Sequence, residues 1–393
     1  MNPGRLMAEQ GSGRLARLVD AAREIADTVI APSAEREDHE ALWPAESMRA
    51  LGDAGLLGLN VPEALGGHGE GLTGLVAVSE TLASQGASTA MCFAMHCVGT
   101  AVIAAKATDW QKEAYLRPIA RGEHVTTLAL SEPGTGVHFY LPETRIAADG
   151  DDFLVTGIKS FVTNGGQAQS YVVSTRAADD AGGEGSFSCV LVDEGTPGLE
   201  WSEPWHGLGM RGNSSRSATM NGVRVPWHNL LGEEGDQLWY VFEVVAPYFL
   251  MAMAGTYLGV AAAALDAARE HLGSRRHSHS GELLGSQPVL SHRLGELWIE
   301  VERTRQLVHS AAQRADAGEP GALLGVLGCK AAAGDTAVHV ANEAMTLCGG
   351  IAYRENARLS RILRDARAAH VMAPTTDVLK TWVGRALLNL PLL

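Results

Sequence analysis

Four groups of residues in this chain are of a type that does chemistry. Ser131-Glu132-Pro133-Gly134-Thr135-Gly136 combines hydroxyls, a turn-forming proline and two glycines. With no Cβ at Gly134 or Gly136, backbone N–H groups can approach an anionic ligand such as a phosphate. Phe161-Val162-Thr163-Asn164 runs into Gly165 and Gly166. It offers an aromatic face, a hydroxyl and an amide, which suit a planar ring system whose edge takes hydrogen bonds. Both strings also fit ordinary turns. Arg275 and Arg276 stand in the Gly/Ser/His block Gly273–Gly285, where either can pair with phosphate or sit in solvent. The fourth group is the histidines, the side chains that titrate near neutrality. His138 ends the first glycine motif, and His370 precedes a proline-containing segment. His96, inside M-C-F-A-M-H-C, reads as a satisfied core imidazole.

Several chemistries are disfavoured. His277 and His279 have no third ligand near them in sequence, so no metal site is expected. Gly207–Gly212 does not precede a helix, which removes the dinucleotide fingerprint, and no G-x-S-x-G elbow exists. The five cysteines lack metal-type spacing, and Cys92 and Cys97 read as buried thiols. A formal charge of −14 opposes nucleic-acid binding. No signal-type start and no run of eighteen apolar residues occurs, so a cytoplasmic protein without a membrane partner is expected.

The elements that must position these residues fall into three blocks. Leu15, Leu18, Val19, Ala22, Ile25, Ala26 and Val29 recur at helical spacing, with Pro32 as the expected stop. Helices are predicted over Pro44–Ala54, Leu72–Ser84 and Thr89–Lys106, with a shorter one capped by Asp109 and closed at Pro118. The glycine-rich loop 61–71 is expected to face a ligand or another domain. Strands are predicted at Phe153–Thr156, Ser170–Ser174, Ser186–Val192 and Ser217–Val225. Helical periodicity resumes near Asp236 and runs to Leu272. It continues over Gln287–Ala317, 322–347, Leu359–Met372 and Thr376–Leu388, which read as an antiparallel bundle. The expected domains are 1–125 (helical), 126–232 (β) and 233–393 (helical).

In this order and at these separations, the motifs resemble the acyl-CoA dehydrogenase superfamily over nearly the whole chain. The resemblance rests on Ala129–Gly136, Gly157–Gly165, Gly207–Pro226 with Leu231-Gly232-Glu233, and W-Q-K-E-A-Y-L-R-P-I-A-R-G-E at 110–123. G-G-I-A-Y at 349–353 and R-I-L-R-D-A at 361–366 complete it. It implies an N-terminal all-α domain, a middle β-barrel and a C-terminal four-helix bundle, assembled as a homodimer or homotetramer around FAD. It implies that Ser131, Gly136 and Val137 meet the flavin or its pyrophosphate. Phe161 would lie against the isoalloxazine and Thr163 would bond its edge. Arg276 would reach the pyrophosphate of a neighbouring subunit's FAD, and His279, Thr346 and Gly350 occupy further cofactor positions. Thr375 and Asp377 would contact the cofactor just after the usual catalytic position. Arg364 and Asp365 read as an ion pair or cap.

The departures bear on mechanism. Family dehydrogenases remove an α-proton with a glutamate while a hydride leaves the β-carbon. Ala373 takes the place of that glutamate here, and Pro374 takes that of the following glycine. The alternative position on the first bundle helix holds Phe249, with Leu250 where an arginine usually follows. The two vacancies favour a flavin monooxygenase that uses O2 and FADH2 from a separate reductase on a small organic or aromatic substrate. The alternative is α,β-desaturation of an atypical acyl-CoA or carrier-bound thioester, with a relocated base and an electron-transfer acceptor. His138, His370 and Glu243 are the candidate acid–base residues. A catalytically silent flavoprotein is the third reading.

Overall fold

The computed structural model describes residues 13–177, 187–233 and 239–392. Helix α1 (Gly13–Ile25) buries Leu18, Val19, Ala22 and Ile25, the predicted stripe. It does not end at Pro32. A π turn (Ala26–Ile30) leads into α2 (Ala31–Glu40), which stops at Ala41 in the left-handed region. The proline sits in the first turn of α2, directly after the widened π turn, where a missing N–H costs least.

Helices α3 (Ala45–Asp53), α4 (Leu72–Ala83) and α5 (Ala87–Ala105) follow. Next come α6 (Asp109–Gln111), a π turn (Lys112–Leu116) and α7 (Arg117–Ala120). Thr108, rather than Asp109, is the cap. Its hydroxyl accepts from the Gln111 N–H, and the Gln111 side chain accepts from the Thr108 N–H. Pro118 falls inside the first turn of α7 instead of closing the segment. The Gln111 amide also donates to the carbonyls of His228 and Leu230, both at 2.8 Å, and so fastens this block to the sheet.

Among the described residues, the middle of the chain forms one eight-stranded sheet. Its strands are β1 (Thr126–Ala129), β2 (Arg145–Asp149), β3 (Asp152–Val162), β4 (Ser170–Ala177), β5 (Phe187–Asp193), β6 (Leu199–Trp201), β7 (Arg216–Pro226) and β8 (Leu230–Leu231). The order is β6-β7-β3-β2-β4-β5-β8, with β1 added on β4. The pairs β1–β4 and β2–β4 are parallel and the others antiparallel. Ser186, in the predicted third strand, lies outside the described residues. The β3–β7 ladder slips between Lys159 and Val162, which puts a bulge at Ser160–Phe161.

The third block is a π turn (Tyr240–Val245) followed by α8 (Ala246–Ser274), α9 (Pro288–Asp316), α10 (Ala322–Cys348), α11 (Arg358–Val371) and α12 (Thr376–Leu387). The predicted start near Asp236 lies outside the described residues. Small residues let α8 press against α4: a Cβ on Gly259 would lie 2.3 Å from the Glu80 carbonyl oxygen. The loop 61–71 delivers α4 to the bundle. The Leu72 and Thr73 N–H groups each donate to the Asp316 carboxylate at 2.8 Å, a cap supplied by α9. Ala87–Ala105 and Tyr240–Ser274 are long and apolar enough to span a membrane, but 89% and 83% of their apolar windows are buried in this fold. They are the core helices.

Candidate functional site

The first glycine motif leaves β1 and is pinned from below. The buried Glu132 carboxylate accepts from the Glu143 and Thr144 N–H groups, the Thr144 hydroxyl and the Lys159 ammonium. Lys159 also donates to the Ser174 hydroxyl at 2.8 Å. Burial pushes the Glu132 carboxyl up, but Lys159 and the other donors outweigh it and hold the group below its ordinary value. Burial draws Lys159 down to about 8, against the pull of Glu132. The Ser160 N–H donates to the Ser131 carbonyl at 2.7 Å, which sews the first motif to the second.

At the bulge that follows, Phe161 adopts φ 55° and is 67% exposed. A large aromatic residue in the left-handed region is uncommon and costs free energy. Its ring meets Trp205 edge-on, with centroids 6.0 Å apart. The Trp205 indole N–H is buried without a partner. Gly136, at φ 53°, has open space where a Cβ would stand, and Val137 beside it is half-buried. The Thr163 hydroxyl is buried 3.4 Å from that of Ser215. An aromatic ring standing clear of the sheet, an orphaned indole donor and an open glycine loop fit a flavin.

The second motif is tied in turn to the third. The Asn164 and Gly165 N–H groups donate to the Asn213 and Ser214 carbonyls at 3.0 and 3.1 Å. The Asn164 side chain donates to the Cys92 carbonyl and accepts from the Trp43 indole, both at 2.9 Å, which brings in the N-terminal helices. The third motif then reaches α11. The Met210 N–H donates to the buried Asp365 carboxylate at 2.7 Å, and a Cβ on Gly209 would lie 2.3 Å from the Arg364 carbonyl oxygen. Arg364 pairs with Asp38 and donates to the Leu208 carbonyl at 2.9 Å. Arg364 therefore ion-pairs with Asp38 rather than with its neighbour Asp365, which instead holds the Met210 N–H. Burial lifts the Asp365 carboxyl to about 6.

Beyond α11 comes the segment that carries the vacancy. Ala373 is half-buried and joined to Pro374 through a cis peptide. The Met372 sulfur lies 3.9 Å from the Tyr257 hydroxyl of α8. Thr375 is the N-cap of α12, its hydroxyl accepting from the Val378 N–H at 3.4 Å, and Asp377 is exposed in the first turn. Phe249 is half-buried on α8 and Leu250 is fully buried. Lys330 of α10 is the group that sequence reasoning passed over. Its ammonium donates to the Met372 and Pro374 carbonyls at 2.8 and 2.7 Å and to that of Ala369 at 3.4 Å. A lone lysine inside the Ala-rich run Cys329–Ala333 was the available signal.

The acid–base candidates are not gathered around Ala373. His138 is exposed, with Nδ1 2.8 Å from the Tyr140 hydroxyl. His370 has Nε2 3.1 Å from the Asp335 carboxylate, which pairs with Lys380, but makes no hydrogen bond to it. Glu243 is exposed in the π turn before α8, and no partner for it occurs among the described residues. His96 is a core imidazole: Nε2 lies 2.9 Å from the Leu57 carbonyl, Nδ1 accepts from the Thr126 N–H, and burial draws it down to about 4.

The remaining cofactor candidates lie on exposed parts of the bundle. Arg276 donates to the Gly281 carbonyl at 3.0 Å, and His279 faces His277 with ring centroids 5.4 Å apart. The Thr346 hydroxyl donates to the Asn342 carbonyl at 3.1 Å, and Gly350 is exposed. A cavity of about 810 Å³ lies elsewhere, between α1, α4, α8 and α9, and none of the flavin candidates lines it.

Comparison with known proteins places the whole arrangement. The acyl-CoA dehydrogenase N-terminal, middle and C-terminal domain families match residues 14–123, 127–223 and 248–388. Cyclohex-1-ene-1-carbonyl-CoA dehydrogenase of Geobacter metallireducens is 30% identical over 372 residues, 94% of this chain and 97% of that one. Mitochondrial isobutyryl-CoA dehydrogenase of Dictyostelium discoideum is 28% identical over 366 residues, 93% of this chain and 87% of that one. The solved butyryl-CoA dehydrogenase of Megasphaera elsdenii superposes with a TM-score of 0.90 at 26% identity, covering 96% of this chain and 99% of that one. FAD is the cofactor of the acyl-CoA dehydrogenase family. The chain belongs to the acyl-CoA dehydrogenase family and is a flavin-dependent oxidoreductase.

Proposed function

We propose that the protein oxidises an acyl thioester, with Glu243 in the role of the relocated base. The observation that carries this reading is that Glu243 is an uncommitted carboxylate in a π turn at the head of the helix that carries Phe249. His138 is bonded to Tyr140, and His370 Nε2 lies 3.1 Å from Asp335, whereas the Glu243 carboxylate has no partner among the described residues. π turns recur at functional sites because the extra residue re-aims a side chain. When bound, FAD would accept the hydride. Phe161, Thr163, Gly136 and the Trp205 indole would hold its ring system and edge. Ser131 and Val137 line the same loop, and Arg276, His279, Thr346, Gly350, Thr375 and Asp377 are the further cofactor positions. The thioester class comes from relatives that span nearly the full chain.

A homodimer or homotetramer with an electron-transfer acceptor, working in the cytoplasm, accompanies this reading. A base that abstracts an α-proton also returns it, so oxidised protein in D2O should exchange the α-hydrogens of a bound thioester. Exchange lost in Glu243→Gln but kept in His138→Gln and His370→Gln supports the assignment. Exchange that survives Glu243→Gln removes it.

The monooxygenase is the second reading, favoured by the apolar residues Phe249 and Ala373 at both usual base positions. That chemistry needs no α-proton base. It would use O2 and FADH2 from a flavin reductase, on a small organic or aromatic substrate.

A further inference from the structure

We propose that Lys330 is the positioning residue for the cleft wall that carries Ala373. The proposal rests on the reading of residues 372–375 as part of the substrate cleft. Lys330 is fully buried on α10, and all three of its contacts are backbone carbonyls: Ala369 and Met372 at the C-terminal end of α11, and Pro374 beyond it. Two of those carbonyls flank Ala373 directly. The ammonium therefore turns the oxygens of Met372 and Pro374 towards α10. On the other side, Tyr257 of α8 meets the Met372 sulfur. A segment with no side chain of its own to anchor residue 373 is held through its backbone.

The charge state matters to this grip. Burial draws Lys330 down to about 7. Three carbonyls at a helix C-terminus oppose that by favouring the charged form. The titratable side chains of the packed elements include Asp335 of α10, Asp365 and His370 of α11, Asp377 and Lys380 of α12 and Tyr257 of α8, and burial lifts Asp365 to about 6. Asp335 pairs with Lys380 and lies beside His370, and the Tyr257 phenol is held protonated, above its ordinary value, by burial. A neutral amine keeps two of its three donors, so the grip loosens as pH rises through the lysine's pKa.

The test is amide hydrogen exchange over 369–376, which needs no substrate and so can fail independently of the thioester reading. In Lys330→Met, exchange in this segment should rise roughly tenfold or more, with the rest of α11 unchanged. In the unaltered protein, protection of the same segment should fall with rising pH beyond the intrinsic rate change. Thioester-driven flavin reduction in Lys330→Met should slow by roughly tenfold or more through misplacement of the wall. Equal protection in variant and parent, or a segment whose corrected protection is flat with pH, overturns the proposal. If Lys330→Met does not fold, the pH series on the unaltered protein decides it.

Discussion

The Met210 N–H and the Asp365 carboxylate meet at 2.7 Å across the junction of the sheet and α11. This one bond aligns the third glycine motif with the helix that leads to Ala373. The acid is fully buried and its carboxyl is lifted to about 6, first by burial. A raised carboxyl means that the folded state binds more protons than the unfolded state between about pH 4 and 6. Its contribution to stability therefore declines as pH rises through that window. Asp365→Asn keeps an acceptor for Met210 and removes the charge. Denaturant titrations across pH should show a flatter slope between pH 4 and 6 in Asp365→Asn. Asp365→Ala, which leaves the Met210 N–H unpartnered, should cost about 1–3 kcal/mol at neutral pH.

Glu80 of α4 makes the opposite prediction. Its carboxylate contacts Arg305 at 2.7 Å and His309 at 2.7 Å, both from α9. Burial pushes its pKa up, but His309 and Arg305 more than reverse this and draw it to about 2. A depressed carboxyl contributes stability above its unfolded pKa and loses it as pH falls towards the folded value. The span from 4.5 to about 2 corresponds to about 3 kcal/mol. Glu80→Gln should unfold at lower denaturant concentration at pH 7, and its disadvantage should shrink steadily below pH 4. A deficit that does not change with pH would show that packing, not the charge, holds α4 to α9.

Lys159 should prove hard to replace, because it is the buried cation that holds Glu132. Lys159→Met leaves the Glu132 carboxylate buried with its cation gone, a change that costs about 3–5 kcal/mol. The loop 131–144 should loosen, and equilibrium flavin titration should show weaker FAD binding. Lys159→Met combined with Glu132→Gln should recover part of both losses. No recovery would mean that the two side chains act separately.

Much of this was legible in the chain itself. The glycine motifs marked the sheet loops, and helical periodicity found α1, α4, α5 and the bundle helices. The misses share a cause. Pro32 and Pro118 were read as stops because their effect on a regular helix is to break it, yet π turns before each let the chain continue. Thr108 and Asp109 are not separable as caps from sequence because both residue types cap helices, and only the reciprocal Gln111 contact separates them. Lys330 and the Glu132–Lys159 pair were invisible because a single sequence does not show which charges are buried. Trp205 was passed over because its partner, Phe161, lies more than forty positions away.

The cofactor assignment makes its own prediction. Phe161→Ala should weaken FAD binding by removing the exposed ring at the bulge. Arg276→Ala should weaken it roughly tenfold or more if that guanidinium meets phosphate. Flavin titration of each variant reads both effects. Unchanged affinity in Arg276→Ala would leave it as the loop residue that bonds Gly281.

Anaerobic mixing of the oxidised holoprotein with a panel of acyl thioesters tests the central claim most directly. The account predicts bleaching of the flavin absorbance by at least one thioester with no added reductant, and its loss in Glu243→Gln. No bleaching by any thioester, together with O2-dependent product formation once NAD(P)H and a flavin reductase are supplied, would contradict it.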